Sequence, residues 1–362
     1  MTARPEVGTA PTGRPPAPRP MPSRVSALRH VPLIYVALLI LLVVAAVLMA
    51  ARGDNLLSGG SIVDILTRSS LLGFIAIGQT LVILCRSLDL SVGYVAALSS
   101  LVAAVVMDGD PSRIVLGVAA ALGVSAAVGL FNGLVTTRLG VHAFITTLGS
   151  GLIIKGFLDT RYPGPSGSVP SAFQSFGYTR IGVLPLSAVV MLVIAAAGVV
   201  LLHRTRLGHS MFAVGGNIDV ARLSGIRTDR TLVVAHVLCS LMAGLAGLLL
   251  AARFSTGVGA QIYGAGYDLD SIAAVVLGGT LLLGGRGGIG GTIAAVLILA
   301  VLDSLFNELQ INPFFRDVLR GVIIIAAVAL YARRQIDPRK ARARFRDVTS
   351  RAAGATSRGG RS

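Results

Sequence analysis

The sequence predicts an all-α, polytopic membrane protein with about ten transmembrane helices, and two observations with one physical constraint carry that expectation. Of the 362 residues, 54% are hydrophobic and 13% are charged, with a mean hydropathy of +0.79, a balance foreign to soluble domains of this size. The apolar residues are gathered into runs that approach or exceed the roughly 20 residues a helix needs to cross a bilayer core. An open strand cannot satisfy its backbone in lipid, so the runs are read as helices.

Residues 1–30 are rich in Pro and carry Arg4, Arg14, Arg19, Arg24 and Arg29 against Glu6, so a disordered basic tail is expected. The transmembrane region, 31–332, follows with ten apolar segments: 31–51, 62–85, 92–107, 113–136, 141–158, 183–203, 231–252, 269–284, 288–307 and 317–332. The first, VPLIYVALLILLVVAAVLMAA, holds no charge and is longer than a signal-peptide core, which makes it an uncleaved anchor. Segments three and eight are short, so a re-entrant or broken helix is admissible at either. Residues 333–362 form a second basic tail, with Arg333, Arg334, Arg339, Lys340, Arg342, Arg344 and Arg346 suited to an anionic leaflet.

An even number of crossings puts both termini on one side, and their basic character assigns that side to the cytoplasm. The loop 203–230, with Arg204, Arg206, Arg222, Arg227 and Arg230, then falls inside. The less basic loop 159–182, with Arg161 and Arg180, falls outside. Segments two to five and seven to ten run in opposite senses, the arrangement of an inverted repeat, although the halves share little sequence. The net charge of +16 is explained by this orientation and needs no nucleic acid partner.

Within the inner loop, FAVGGNIDVARLSGIRTDR (Phe212–Arg230) interrupts the apolar pattern. Gly215 and Gly216 break the chain, Asn217 is a suitable N-cap, Asp219 suits the positive end of a helix dipole, and Gly225 can close the far end. A short helix over Ile218–Ser224 is predicted, offering Ile218, Ala221 and Leu223 to a partner beside Arg222 and Arg227. The plainer alternative is a helix resting on lipid headgroups.

DLSVG at Asp89–Gly93 separates two apolar segments, and Asp89 is either part of a kinked element lining a path or a cap for the third segment, with Ser91 assisting. Asp268 and Asp270 precede the eighth segment, at the outer end by the count, where capping by Asp270 or Ser271 is expected. The polar residues Gln79, Thr80, Asn132, Thr146, Thr147, Asp303 and Asn307 within spans are candidates for lining a path through the bundle, or for hydrogen bonds between helices. Lys155 needs a partner or a route to the interface, and Asp64 and Arg68, four apart, read as a pair on a helix face.

Cys85 and Cys239 define neither a disulfide framework nor a metal spacing, and the five histidines show no ligand spacing, so no metal is expected. No G-x-x-x-x-G-K-[ST] loop is present to cradle ATP phosphates, and no nucleophile triad or carboxylate pair stands out, so the chain is not expected to be an enzyme.

From Arg206 through FAVGGNIDVARLSGI the chain resembles the cytoplasmic loop of permease subunits in monosaccharide ABC importers of the ribose type. Four further stretches carry the same resemblance in family order: GQTLVILCRSLDLSVGYVAALSS, VHAFITTLGSGLIIKG, AGYDLDSIAAVVLGGTLLLGGRGGIGGT and RDVLRGVIIIAAVAL. The resemblance implies a permease of the bacterial cytoplasmic membrane in which Gly215, Gly216, Asn217, Asp219, Ala221, Arg222, Leu223, Ser224 and Gly225 couple to an ATPase subunit. It also implies an extracytoplasmic sugar-binding protein docking near Asp268 and Asp270, a neutral polyol for the polar span residues to meet, a second permease copy or paralogue as dimer partner, and surrounding lipid. No cofactor is then bound by this chain, ATP and Mg belonging to the partner subunit. Two departures stand out: Ser87 and Leu88, preceded by Arg86, occupy the place of a usual Gly-Ile pair, and Ile218 and Asp219 stand where acidic and small residues are usual. The rival expectation is an ion- or proton-coupled secondary transporter, which calls for mid-span charges that these spans lack apart from Lys155 and Asp303.

Overall fold

The computed structural model describes residues 33–53, 55–56, 58–259, 262, 266–312, 315, 318–319, 321–322 and 325. Both basic tails and most of the tenth predicted segment lie outside the described residues. The remainder is a helical bundle: α1 (Leu33–Ala50), α2 (Gly59–Leu84), α3 (Val92–Met107), α4 (Ile114–Arg138), α5 (Ala143–Arg161), the short α6 (Ser171–Tyr178), α7 (Leu186–Arg204), α8 (Arg206–Gly216), α9 (Ile218–Leu223), α10 (Thr228–Phe254), α11 (Tyr267–Leu277) and α12 (Ile289–Glu308). A 3-10 turn, Pro111–Arg113, leads into α4, and a two-residue hairpin, β1 (Arg180–Ile181) with β2 (Leu184–Pro185), leads into α7.

Helices α1, α2, α4 with its leading turn, α7, α10 and α12 are long and apolar enough to cross a membrane. The other three predicted spans within the described residues are also helical but fall short of that measure. Helix α5 has 19 residues but carries Lys155, Asp159 and Arg161, and α3 has 16 residues. The eighth predicted segment differs most: 269–284 was expected to be one helix, but α11 has 11 residues and ends at Leu277. At about 1.5 Å per residue it reaches roughly halfway across a bilayer core. The chain then turns through Gly278–Gly288, using left-handed backbone at Gly279, Gly284, Gly285 and Gly287, so this is the broken helix admitted as an alternative.

Two helices form the centre. Helix α10 packs along α2, α3 and α4, while the rest of α2 is covered by α7, α11 and α12. From Ser69 to Leu84 every residue of α2 is buried. Small residues bring these helices together, as van der Waals packing in lipid requires. A Cβ at Gly129 would stand 2.6 Å from the His236 carbonyl oxygen, and one at Gly78 2.8 Å from the Cys239 Cα, so α4 and α2 both meet α10 backbone to backbone. Helix α1 lies against α12 and leaves Leu39, Ile40, Val43 and Val47 exposed; α5 does the same with Ile145, Leu152 and Ile153. These faces have the chemistry of lipid contact.

The expected pair forms on the exposed face of α2, Arg68 Nε to Asp64 Oδ2 at 2.7 Å. Lys155 finds a partner one turn along α5, its Nζ 2.6 Å from Asp159 Oδ2.

Candidate functional site

Antiparallel packing gathers the end of α2, the start of α3, the starts of α5, α10 and α12, and the ends of α4, α7 and α11 at the pole of the bundle that carries α9. The loop between α7 and α10 folds into two helices where one was predicted. Thr205 caps α8, its Oγ1 accepting from Gly208 N at 3.2 Å, and α8 runs to Gly216. Asn217 then takes an extended conformation, and its Oδ1 accepts from the N–H groups of Asp219 at 3.0 Å and Val220 at 3.1 Å. Asp219 lies in the first turn, as expected. The far end closes as a Schellman motif: Gly225 has φ +81°, Ile226 N donates to Ala221 O at 3.1 Å and Gly225 N to Arg222 O at 3.0 Å.

The face presented by α9 differs in part from the predicted one. Leu223 is 89% exposed, as expected, but Ala221 is 3% exposed and Ile218 packs on the core, while Val220, 57% exposed, joins Leu223 outside. With only six residues, α9 has one turn to bury, and the turn that faces the bundle is set by how Gly225 returns the chain to α10. Gly216, Asn217, Asp219, Arg222, Ser224 and Gly225 are exposed, and Gly215 is buried. Arg222 reaches back to the start of α10, with Nη2 3.3 Å from Thr228 Oγ1 and 3.5 Å from Asp229 Oδ1.

Gly215 locks this loop to the bundle. A Cβ there would collide with the Leu84 carbonyl oxygen at the end of α2, and Gly285 N donates to that same oxygen at 3.0 Å. Three turns are thus interlocked: the one after α2, the α8–α9 junction, and the one between α11 and α12.

One step inward lies a polar network formed by the irregular segment Cys85–Ser91. Asp89 is fully buried; its Oδ1 accepts from Ser91 N at 2.9 Å and from Ser91 Oγ at 2.5 Å. Its Oδ2 faces His236 Nδ1 at 3.3 Å, and His236 Nε2 stands 3.0 Å from Ser87 Oγ. Asn132 Nδ2 donates to Ser91 Oγ at 3.0 Å, and Leu90 N donates to Thr147 Oγ1 at 3.1 Å. His236 is eight residues into α10, about 12 Å from that helix's start. Asp89 therefore binds its own turn, by way of Ser91, and α10; no side chain of its segment caps α3. The network unites Asp89, Ser91, Asn132 and Thr147 from the predicted candidates and adds Ser87 and His236, which sequence reasoning missed. The signal was a single His between Ala235 and Val237 in an otherwise apolar run, and its partner, 147 positions away in sequence, was invisible.

Other candidates lie apart from the network. Thr80 Oγ1 sits 2.9 Å from Thr292 Oγ1, joining α2 to α12. Gln79 is buried against Cys239, its Oε1 3.6 Å from Sγ and its Nε2 without a partner. Thr146 is buried near the start of α5, and Asp303 is partly buried in α12. Asp268 and Asp270 lie in the first turn of α11 at the opposite pole, but the N-cap is Gly266, at φ +72°, and no side chain closes the helix. Ser271 instead donates to Asp268 O at 2.8 Å, because the left-handed glycine turns the chain where an Asp or Ser cap was expected.

Charge separates the poles. Among the described residues, the α9 pole carries Arg86, Arg138, Arg204, Arg206, Arg222, Arg227, Arg230 and Arg286 against Asp219 and Asp229. The opposite half mixes both signs, and there Ser112 N and Oγ, each 2.8 Å from Asp110 Oδ1, hold the Asp110 carboxyl below its usual range.

Residues 61–328 match the family described as branched-chain amino acid transport system / permease component. The chain belongs to this permease family. It is 36% identical over 302 residues to the ribose import permease protein RbsC of Escherichia coli (strain K12), covering 82% of this chain and 93% of that protein. RbsC of Bacillus subtilis (strain 168) is 36% identical over 82% of this chain and 91% of its own length. The galactose/methyl galactoside import permease protein MglC of E. coli (strain K12) is 32% identical over 83% and 95%. The resemblance drawn from five stretches of sequence is thereby borne out. No solved structure matches the chain. The permease is a multi-pass membrane protein, a transport component in which several helices together build the α9 pole and the Asp89–His236 network.

Proposed function

We propose that this permease translocates a monosaccharide, a ribose-like pentose or a related sugar, as the membrane-spanning subunit of an ATP-driven importer. The observation that carries this is identity of 36% along nearly the whole length of two ribose import permeases, with a galactoside permease at 32%. The family's general description names branched-chain amino acids, but the full-length relatives are sugar permeases, and full-length identity weighs more than a family title. ATP and Mg bind a separate ATPase subunit, for which α9 is the contact: Leu223 and Val220 form its apolar tip, and Asn217, Asp219, Arg222, Ser224 and Gly225 its polar rim. Gly215 transmits the motion, since a helix locked to the α2 carbonyl end cannot move without moving α2. The arginine excess at the α9 pole supports a cytoplasmic placement of that pole and of both termini. A sugar-binding protein docks at the opposite pole, near Asp268 and Asp270, and a second permease completes the path. Gln79, Thr80, Asn132, Thr146, Thr147 and Asp303 are the candidates to meet the sugar, with Asp89 and Ser91 placing the segment before α3.

An ion-coupled transporter is the weaker reading: Lys155 is paired with Asp159, and Asp89 and His236 are enclosed with no exposed surface through which an ion would pass. The test is purification of the permease from its native membrane in mild detergent, followed by reconstitution with whatever accompanies it. Recovery of an ABC-type ATPase and ATP-dependent uptake of labelled ribose or galactose supports the proposal. Recovery of the permease alone, with uptake driven by an ion gradient, refutes it.

A further inference from the structure

We propose that the cleft between Arg86 and Arg286 is a socket for an acidic side chain of the ATPase subunit, a second contact beside α9. This rests on the reading that an ATPase docks at the α9 pole. The cleft has a volume of about 370 Å3 and is lined by Arg86 and Arg286 together with Leu281, Leu283 and the glycine pairs at 215–216 and 284–285. Both arginines are exposed, and among the described residues neither guanidinium makes a hydrogen bond or an ion pair.

The socket is built. Arg86 has φ +60°, a left-handed conformation rare for a side-chain-bearing residue. Gly284 and Gly285 are left-handed too, and a Cβ on Gly284 would stand 2.8 Å from Arg86 N, while one on Gly285 would stand 2.8 Å from Gly216 N. Two turns far apart in sequence are therefore pressed together so that one guanidinium comes from each. Gly216 is at once a wall of the cleft and the residue before the α9 cap, so whatever fills the cleft touches the coupling junction.

Two exposed cations in one cleft call for an anion. The permease's own tails are basic, with Arg14, Arg19 and Arg24 at one end and Arg342, Arg344 and Arg346 at the other, so they repel the site. A second copy presents the same basic pole. Lipid headgroups sit at the periphery, whereas Arg86 follows directly on α2, which α7, α10, α11 and α12 surround. A separate acidic protein surface is left, and the protein that reaches this pole is the ATPase. A carboxylate between the two guanidinium groups would join the ATPase to the ends of α2 and α11 as well as to α9, so that all three move together.

The test uses the full permease, co-purified with its ATPase from native membranes and compared as wild type, as Arg86→Glu/Arg286→Glu, and as Arg86→Lys/Arg286→Lys. Arg113→Glu/Arg180→Glu, at the other pole, is the charge control. The expected result is about a tenfold drop in ATPase recovered per permease for the Glu pair, little change for the Lys pair and the control, and loss of the wild type's sensitivity to salt between about 0.05 and 0.5 M. If the Glu pair fails to purify as a monodisperse species, Arg86→Gln/Arg286→Gln is used with the same expectation at smaller size. Full recovery with either folded pair overturns the socket while leaving the α9 contact intact. A wild-type permease that recovers no ATPase fails the underlying reading instead. A drop seen in nanodiscs containing anionic lipid but absent in purely zwitterionic ones makes a headgroup the occupant and also overturns the proposal.

Discussion

Replacing His236 with Leu, close to it in volume, removes the side chain that Asp89 Oδ2 faces at 3.3 Å and leaves a carboxylate buried with no surface exposed. Breaking a buried pair from one side costs about 3–5 kcal/mol. The lower end applies, because Oδ1 keeps both bonds from Ser91. Ser87 Oγ loses its partner as well, which adds about 1 kcal/mol, so His236→Leu is expected to destabilise the permease by about 4 kcal/mol. Asp89→Asn alone costs about 1 kcal/mol, since an amide still accepts from Ser91 and removes the buried charge. The double variant, with no carboxylate left to strand, is expected at about 2 kcal/mol, a coupling of about 3 kcal/mol. The measurement is unfolding of the purified permease in mixed micelles with increasing SDS, followed by circular dichroism, for all four proteins of the cycle. A double variant as unstable as the sum of the two singles, or a His236→Leu loss under about 1 kcal/mol, would show that the pair is not coupled and refute the reasoning.

Gly215→Ala is expected to cost about 3 kcal/mol, at the upper end of overpacking because the atoms met are the backbone of Leu84 and Gly285, and to abolish uptake. Gly216→Ala, where a Cβ meets nothing within 4 Å, is expected to be stable within about 0.5 kcal/mol; equal thermal midpoints for the two would contradict the interlock. Asn217→Ala removes the one side chain capping α9 and is expected to cost that helix about 1 kcal/mol, lowering substrate-stimulated ATP hydrolysis while the permease's own thermal midpoint is nearly unchanged. Ser224→Cys is expected to react with an impermeant maleimide in inside-out vesicles alone, and labelling from the outer face of intact cells would reverse the proposed sidedness.

The bundle was legible because lipid leaves few choices. An apolar run such as 31–51 must satisfy its backbone internally, and nine predicted segments coincide with helices over their described parts, with ends within a few residues except at the eighth. That segment failed because its composition stays apolar through Leu281–Leu283, while Gly278 and Gly279 end α11 at Leu277. Composition averages over residues, but a helix stops at one residue. The caps of α9 were legible too, since Asn217 and Gly225 act through neighbours within a few positions in sequence. Its outward face was legible only at Leu223, for which side of a single turn is buried depends on α10 and the core beneath it.

Sequence by itself therefore determined what depends on local chemistry: the class of fold, the place of the spans, the break in the loop 203–230, and the charge asymmetry between the poles. Tertiary structure alone decided what depends on helices meeting. It set Asp89 against His236 across 147 residues, turned Val220 outward and Ile218 and Ala221 inward, and brought Arg86 into one cleft with Arg286. The physical reason is common to all three: backbone conformation is governed by near neighbours, whereas burial and pairing are governed by close packing between segments whose order along the chain carries no record of their distance in space.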